Sequence, residues 1–158
     1  MIVTAILACD DQWGIGKNGD LPWPRNREDL KWFKSTTLNS AVVMGRGTWE
    51  GGMPKPLPNR RNIVITNNPI NGVECYTFDK FLSMYNLIEQ RLFIIGGATL
   101  IESAIDIIDE FWLSRIKGTY DCDTYLPKAE ILDNFEIYEH YFDGNITIQK
   151  YGRIKNEN

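Results

Sequence analysis

Residues 16–33 read GKNGDLPWPRNREDLKWF, a glycine-containing loop that passes through two prolines into an amphipathic helix. Gly14, Gly16 and Gly19 leave the backbone free, while Pro22 and Pro24 flank Trp23 and hold the chain extended until a helix can begin. From Asn26 onward Leu30, Phe33 and Thr37 recur at spacings of 3 and 4, with Lys31 and Lys34 on the other side. Asp29 falls one turn before Phe33 and beside Leu30, so its carboxylate shares the apolar stripe. Two readings of it stand side by side. With Asn26 as the N-cap, Asp29 is the N3 residue of a capping box and suits the helix dipole. Directed instead into a pocket lined by Leu and Phe, it has a raised pKa and can hold a polar ligand by paired hydrogen bonds. Glu28 is expected to face solvent.

Outward from this segment the chain alternates strand and helix. Ile2 to Cys9, Ala41 to Met44, Asn62 to Ile65, Leu92 to Ile95 and Phe111 to Ile116 are short apolar runs of the kind that form buried strands. Phe81 to Ile88, with Asp79 as cap, and Ala98 to Ile105 read as helices, and a short helix opens after Gly45-Arg46-Gly47-Thr48. Phe135 to Tyr141 and Asn145 to Tyr151 are joined by Asp143-Gly144, a hairpin signal. The pattern predicts an α/β fold: a single domain spanning 1–158, with a central, mostly parallel mixed sheet of about eight strands. The sheet ends in a C-terminal antiparallel hairpin and is flanked by about four helices. The tail from Lys155 to Asn158 is expected to fray.

The chain has 158 residues, 43% of them hydrophobic, enough to bury a full core. Its net charge of -4, from 17 basic and 21 acidic side chains, argues against a sequence-independent nucleic-acid binder. Cys9, Cys75 and Cys122 show no CxxC spacing and His140 stands alone, so no metal site is expected and a reducing compartment is. The N-terminus enters a strand-like run with no basic leader, and no apolar run approaches about 18 residues. A cytoplasmic protein without membrane contact is expected.

Two turns have the makings of anion sites. Gly45-Arg46-Gly47-Thr48 follows a strand, and Gly96-Gly97 links a strand to a helix. Glycine lets backbone N–H groups approach a phosphate, although a plain surface turn fits either stretch equally well. The loop EGGMPKPLP, Glu50 to Pro58, precedes Arg60, whose planar fork suits a carboxylate and which otherwise reads as a solvated charge.

Taken in order, GIGKNGDLPWP, DLKWF, VVMGRGTWE, PLPNRRNIV, IIGGATL and DTYLP resemble the dihydrofolate reductases of the small chromosomal type, over Ile2 to about Ile148. The resemblance implies NADPH-dependent reduction of dihydrofolate. It makes Asp29 the catalytic acid, with Leu21 closing on the reaction centre, Trp23 helping to hold a water, and the Ser114 hydroxyl against the acid. For substrate it implies backbone groups of Ile6 and Leu7, the side chains of Leu30 and Phe33, Leu57 against the aminobenzoyl ring, and Arg60 on the glutamate α-carboxylate. For cofactor it implies Ala8 at the carboxamide, Ile15, Gly16, Asn18 and Leu21 from a lid over Asp10 to Trp23, and Thr124 nearby. Gly45, Arg46, Gly47 and Thr48, with Thr66 and Asn67, would take the 2'-phosphate end. Ile95, a cis Gly96-Gly97 bond, and Ala98, Thr99 and Leu100 would take the diphosphate. Ile101 stands where the family carries a Tyr near the nicotinamide, and Gly51-Gly52-Met53 replaces a bulkier wall. Asp123 would anchor the lid. Antifolates such as trimethoprim or methotrexate would be inhibitors, and a monomer is expected. Two rivals are a same-fold reductase of a ribosylated pyrimidine in riboflavin synthesis and a non-catalytic nucleotide-binding subunit.

Overall fold

The computed structural model describes residues 1–155; most of the tail expected to fray, residues 156–158, lies outside the described residues. In chain order the elements are β1 (Val3–Cys9), β2 (Gly14–Gly16), α1 (Arg27–Thr37), β3 (Ala41–Gly45), α2 (Arg46–Glu50), β4 (Arg61–Ile65), β5 (Glu74–Tyr76) and α3 (Phe78–Met84). A 3-10 turn (Tyr85–Leu87) precedes β6 (Leu92–Gly96), α4 (Ala98–Ala104), β7 (Glu110–Arg115), β8 (Thr124–Tyr125), α5 (Lys128–Asn134), β9 (Phe135–Asp143) and β10 (Ile146–Arg153). Eight strands form one sheet in the order β5-β4-β3-β6-β1-β7-β10-β9, and β2 pairs with β8 in a separate small ladder. From β5 to β7 neighbours are parallel, whereas β10 is antiparallel to both β7 and β9. This is the expected mixed sheet with its closing hairpin.

The apolar runs work as central strands because both faces of the sheet are covered. Along β1, Val3, Ala5, Leu7 and Cys9 enter a core with Phe81 of α3, Leu100 and Ile101 of α4 and Ile131 of α5. Ile6 enters the opposite core with Trp23, Trp32 of α1, Ile116 and Ile148. The period of two in a strand makes this division. Gly144 opens the two-residue β9–β10 turn at φ 62, a backbone conformation that suits glycine.

Several details depart from the sequence reading. The buried stripe of α1 is Asp29, Trp32 and Thr37, with Leu30 37% exposed, because the helix is rotated to bury its Trp. Glu28 is half-buried under the hairpin turn: a Cβ on Gly144 would lie 2.5 Å from its Cγ. Helix α3 starts earlier than expected, and Thr77 rather than Asp79 caps it, accepting a hydrogen bond from the Lys80 N–H. Helix α5 was not expected, and it brings the helices to five rather than about four; only Ile131 of α5 is buried, so its stripe is too thin to show as a pattern. Strands β2, β5 and β8 span three residues or fewer, too short for a periodicity to register. Among the described residues no helix is long and apolar enough to cross a membrane.

Candidate active site

Asn26 caps α1 by accepting a hydrogen bond from the Asp29 N–H at 3.0 Å. Only the Asn26 half of the capping box forms: the Asp29 N–H serves the cap, whereas its carboxyl takes no bond from the Asn26 N–H among the described residues and is buried, 6% exposed, on the face that carries Trp32. Burial raises its pKa above the ordinary aspartate value, and the Ser114 hydroxyl works in the opposite direction. Ser114 belongs to β7, in register with Ala8 of β1, and is fully buried. It stands near the carboxyl without reaching it, since Ser114 Oγ has no hydrogen-bond partner among the described residues. The indole Nε1 of Trp23 is in the same position, and its ring meets Tyr120 edge-on at 6.0 Å. Buried polar atoms are nearly always satisfied in a folded protein. A buried acid with an orphaned hydroxyl, on a face of the fold that also holds an orphaned indole N–H, suits a ligand rich in donors and acceptors.

Ile6 and Ala8 line this face, and Phe33 and Ile95 are shared between its cluster and a second one formed by Val42, Met44, Leu57 and Val64. Leu7 projects to the opposite core, so only its backbone is available here. Leu21 is 48% exposed at the rim. Along the cleft, Arg60 lies over the Phe33 ring at 5.9 Å, donates through Nη1 to Thr37 Oγ1 at 3.1 Å and through Nε to the Pro58 carbonyl at 3.0 Å. Burial lowers its pKa, and Nη2 is unengaged among the described residues. The guanidinium is thus fixed by two bonds that leave Nη2 to donate elsewhere, a geometry able to meet a carboxylate.

The glycine turns meet as the strand order dictates. Met44 of β3 pairs with Gly96 of β6, which brings Gly45 beside the cis Gly96-Gly97 bond. A Cβ on Gly45 would lie 3.7 Å from the Gly97 N, and one on Gly96, at φ 129, would lie 3.3 Å from Thr48 Oγ1. Neither α2 nor α4 has a side-chain cap at its N-terminus, so the first N–H groups, including those of Gly47, Ala98, Thr99 and Leu100, are left for another acceptor. At the edge of the same surface Arg46 donates to the Asn68 carbonyl at 2.9 Å and to Thr66 Oγ1 at 3.4 Å, while Glu50 holds its Nε at 2.8 Å. Asn67 and Thr66 line a neighbouring cavity of about 250 Å³ with Thr77 and Lys80. These parts sit beyond the C-terminal ends of β3, β4 and β6, where open α/β sheets bind ligands.

The loop from Asp10 to Trp23 is held at its base and its middle. Asp10 is buried and accepts from the Gly14 and Gln12 N–H groups at 2.9 Å, from Tyr120 N at 3.2 Å and from Cys122 Sγ at 3.4 Å. Burial alone would raise its pKa, and these donors bring it below the ordinary value. Trp13 adopts φ 66 and buries its ring 6.0 Å from Tyr151 and 5.0 Å from the Arg115 guanidinium, a strained anchor for a bulky residue. Asp123 accepts from the Asn18 N–H at 2.8 Å, and Thr124 pairs with Gly16. Ile15 packs against the main core.

Asp10, Trp32, Asn62 and Lys80 escaped the sequence reading. Asn62 pins the Leu57–Arg60 turn by accepting from Leu57 N and donating to Leu57 O, each at 2.9 Å, and to Arg60 O at 3.0 Å. A polar residue opening an otherwise apolar strand was its one signal. Ile101 is fully buried in the main core, so at that position it acts through packing.

A family model described as dihydrofolate reductase matches residues 2–151. A dihydrofolate reductase of Staphylococcus aureus is 36% identical over 127 residues, covering 80% of this chain and 79% of that one. A bifunctional dihydrofolate reductase-thymidylate synthase of Paramecium tetraurelia is 39% identical over 92% of this chain, which spans 36% of that protein's length. The structure of dihydrofolate reductase from Enterococcus faecalis, complexed with NADP(H) and RAB-propyl, aligns with a TM-score of 0.86 at 32% identity, covering 98% of this chain and 97% of that one.

Proposed function

The chain belongs to the dihydrofolate reductase family, and from that premise we propose that it acts, as a single domain, in the NADPH-dependent reduction of 7,8-dihydrofolate to 5,6,7,8-tetrahydrofolate. The observation that carries this reading is the buried, raised-pKa Asp29 facing an orphaned Ser114 hydroxyl. A pterin presents an amidine-like edge whose N–H groups match a carboxylate with both oxygens to offer.

NADPH, when bound, supplies the hydride that reaches C6 of the pterin. The residues that would hold it are Gly45 to Thr48, Gly96 to Leu100 and Arg46 with Thr66, where glycine leaves the backbone open to close approach by a phosphate. On the substrate, Asp29 orients the ring and adjusts its basicity, while Arg60 holds the glutamate α-carboxylate and Leu57 flanks the aminobenzoyl ring. Leu21 at the rim governs the water that protonates N5, and Trp23 Nε1 fixes a water near the acid. Closure of the lid excludes bulk solvent and its opening releases product. Three free cysteines suit a reducing compartment, and a cytoplasmic monomer serving one-carbon metabolism and thymidylate synthesis completes the reading. Trimethoprim and methotrexate would compete for the pterin site.

The test is NADPH absorbance in purified protein with dihydrofolate, wild type beside Asp29→Asn. Rapid oxidation by the first and near loss in the second supports the reading. Tight NADPH binding with no oxidation would replace it with the pyrimidine reductase of the same fold or a non-catalytic subunit.

A further inference from the structure

The tip of the lid is a two-residue turn. Lys17 and Asp20 exchange backbone hydrogen bonds at 2.9 and 3.1 Å around Asn18 at φ 52 and Gly19 at φ 79, so the tip is a small rigid hairpin. It lands on the loop after α2. A Cβ on Gly51 would lie 2.8 Å from the Gly19 carbonyl oxygen, and a Cβ on Gly52 would lie 2.6 and 2.7 Å from the two carboxylate oxygens of Asp20. These are separations that real Cβ atoms do not show, so with the tip in this position a side chain at 51 would have to displace backbone and one at 52 would have to displace the Asp20 carboxylate. Neither glycine has a φ in the left-handed region. Backbone conformation therefore does not explain the pair; close approach of the lid does.

We propose that Gly51 and Gly52 form the seat on which the lid tip closes, making them, with Asp20, positioning residues for the lid. The seat borders Leu21 directly, the next residue in the chain, and Asp20 Oδ1 accepts from the Leu21 N–H at 2.7 Å. Landing of the tip on the seat thereby sets where Leu21 stands at the rim. Asp123 holds the tip from the opposite side at Asn18, so the hairpin is gripped between two loops. A bulkier residue at 51 would meet backbone, which has no rotamer to move, whereas one at 52 would meet the end of a movable side chain. The two positions therefore differ in a way that can be measured. The seat deepens the functional reading above and rests on it for the lid's role over substrate, but its geometry belongs to the protein alone.

The experiment uses Gly51→Ala, Gly52→Ala, Asp20→Ala and the double variant Gly52→Ala/Asp20→Ala in the full chain. The first readout is amide hydrogen exchange at Asn18 in ligand-free protein, with thermal unfolding to show that each variant is folded. Gly51→Ala should speed exchange at Asn18 by about tenfold, as local overpacking opens the closed lid without unfolding the sheet. Gly52→Ala should show a smaller increase that disappears when Asp20 is also Ala, since the clashing carboxylate is gone. NADPH release rates should follow the same order. Unchanged Asn18 exchange in Gly51→Ala, or a Gly52→Ala effect that persists beside Asp20→Ala, overturns the seat. Failure of the wild type to bind or oxidise NADPH would count against the functional reading alone, because the exchange measurement decides the seat without ligand.

Discussion

Asp29→Asn separates the two roles this residue could have by the sign of its effect on stability. The carboxyl is 6% exposed, and its pKa is raised by burial with only the Ser114 hydroxyl working against that rise. An ionised carboxylate left without a full set of partners in such a place costs about 1–3 kcal/mol, which a neutral amide of the same shape largely removes. Against this stands the charge–dipole attraction at the N-terminus of α1, about 0.3–1 kcal/mol, which the amide forfeits. The buried term is the larger, so the mutant should be more stable at pH 7 by about 1–2 kcal/mol, a rise in Tm of about 2–8 °C for a chain of this size. The folded-state pKa lies above the unfolded value of about 3.9. The favourable contribution of the protonated group is thus complete below about pH 4 and is lost as pH rises through the folded pKa. The mutant has no such loss, so its advantage should be smallest near pH 4 and grow toward neutrality. Differential scanning calorimetry of both proteins across that range, paired with turnover of dihydrofolate, makes the measurement. A stabilised mutant that has lost most turnover is the signature of an acid kept for function at a cost in stability. A mutant that melts lower than wild type at pH 7 while keeping its turnover would rule out a functional acid and leave Asp29 as a capping residue.

Arg60→Ala should raise the KM for dihydrofolate by about tenfold while kcat stays within about twofold, because a clamp on a remote carboxylate acts equally on ground and transition states; a fall in kcat with unchanged KM would remove Arg60 from the substrate site. Gly14→Ala should lower Tm by about 2–10 °C, from about 1–3 kcal/mol of overpacking. Its Cβ would lie 2.6 Å from Cys122 Cβ and 3.1 Å from Asp10 Oδ1. Cys122→Gly in the same chain should recover part of that loss, and a Gly14→Ala protein that melts like wild type would contradict the packing at the base of the lid.

The sequence alone carried the sheet to a good approximation, because β3 and β6 are continuous apolar runs and β1 and β4 are largely so, as strands covered on both faces tend to be. For Asp29, Arg46, Arg60 and the Gly96-Gly97 pair local chemistry left an ordinary reading open beside the functional one, and only the family resemblance pointed to Ser114. What the sequence could not decide depends on contacts between distant segments. Nothing local says that α1 turns Trp32 inward and Leu30 outward; packing of Trp32 against the cluster that holds Ile6 and Ile148 decides that. Asp10 looks like any loop acid until the fold brings Tyr120 and Cys122 against it. Asn62 is a polar interruption until the Leu57–Arg60 turn folds back onto it. Gly51 and Gly52 read as loop punctuation, and only the arrival of residues 17–20, more than thirty positions earlier in the chain, shows that a side chain at 51 would press on backbone and one at 52 on the Asp20 carboxylate. Residue type and spacing report what a segment can do by itself; close approach between segments is settled by packing, and packing exists only once the chain is folded.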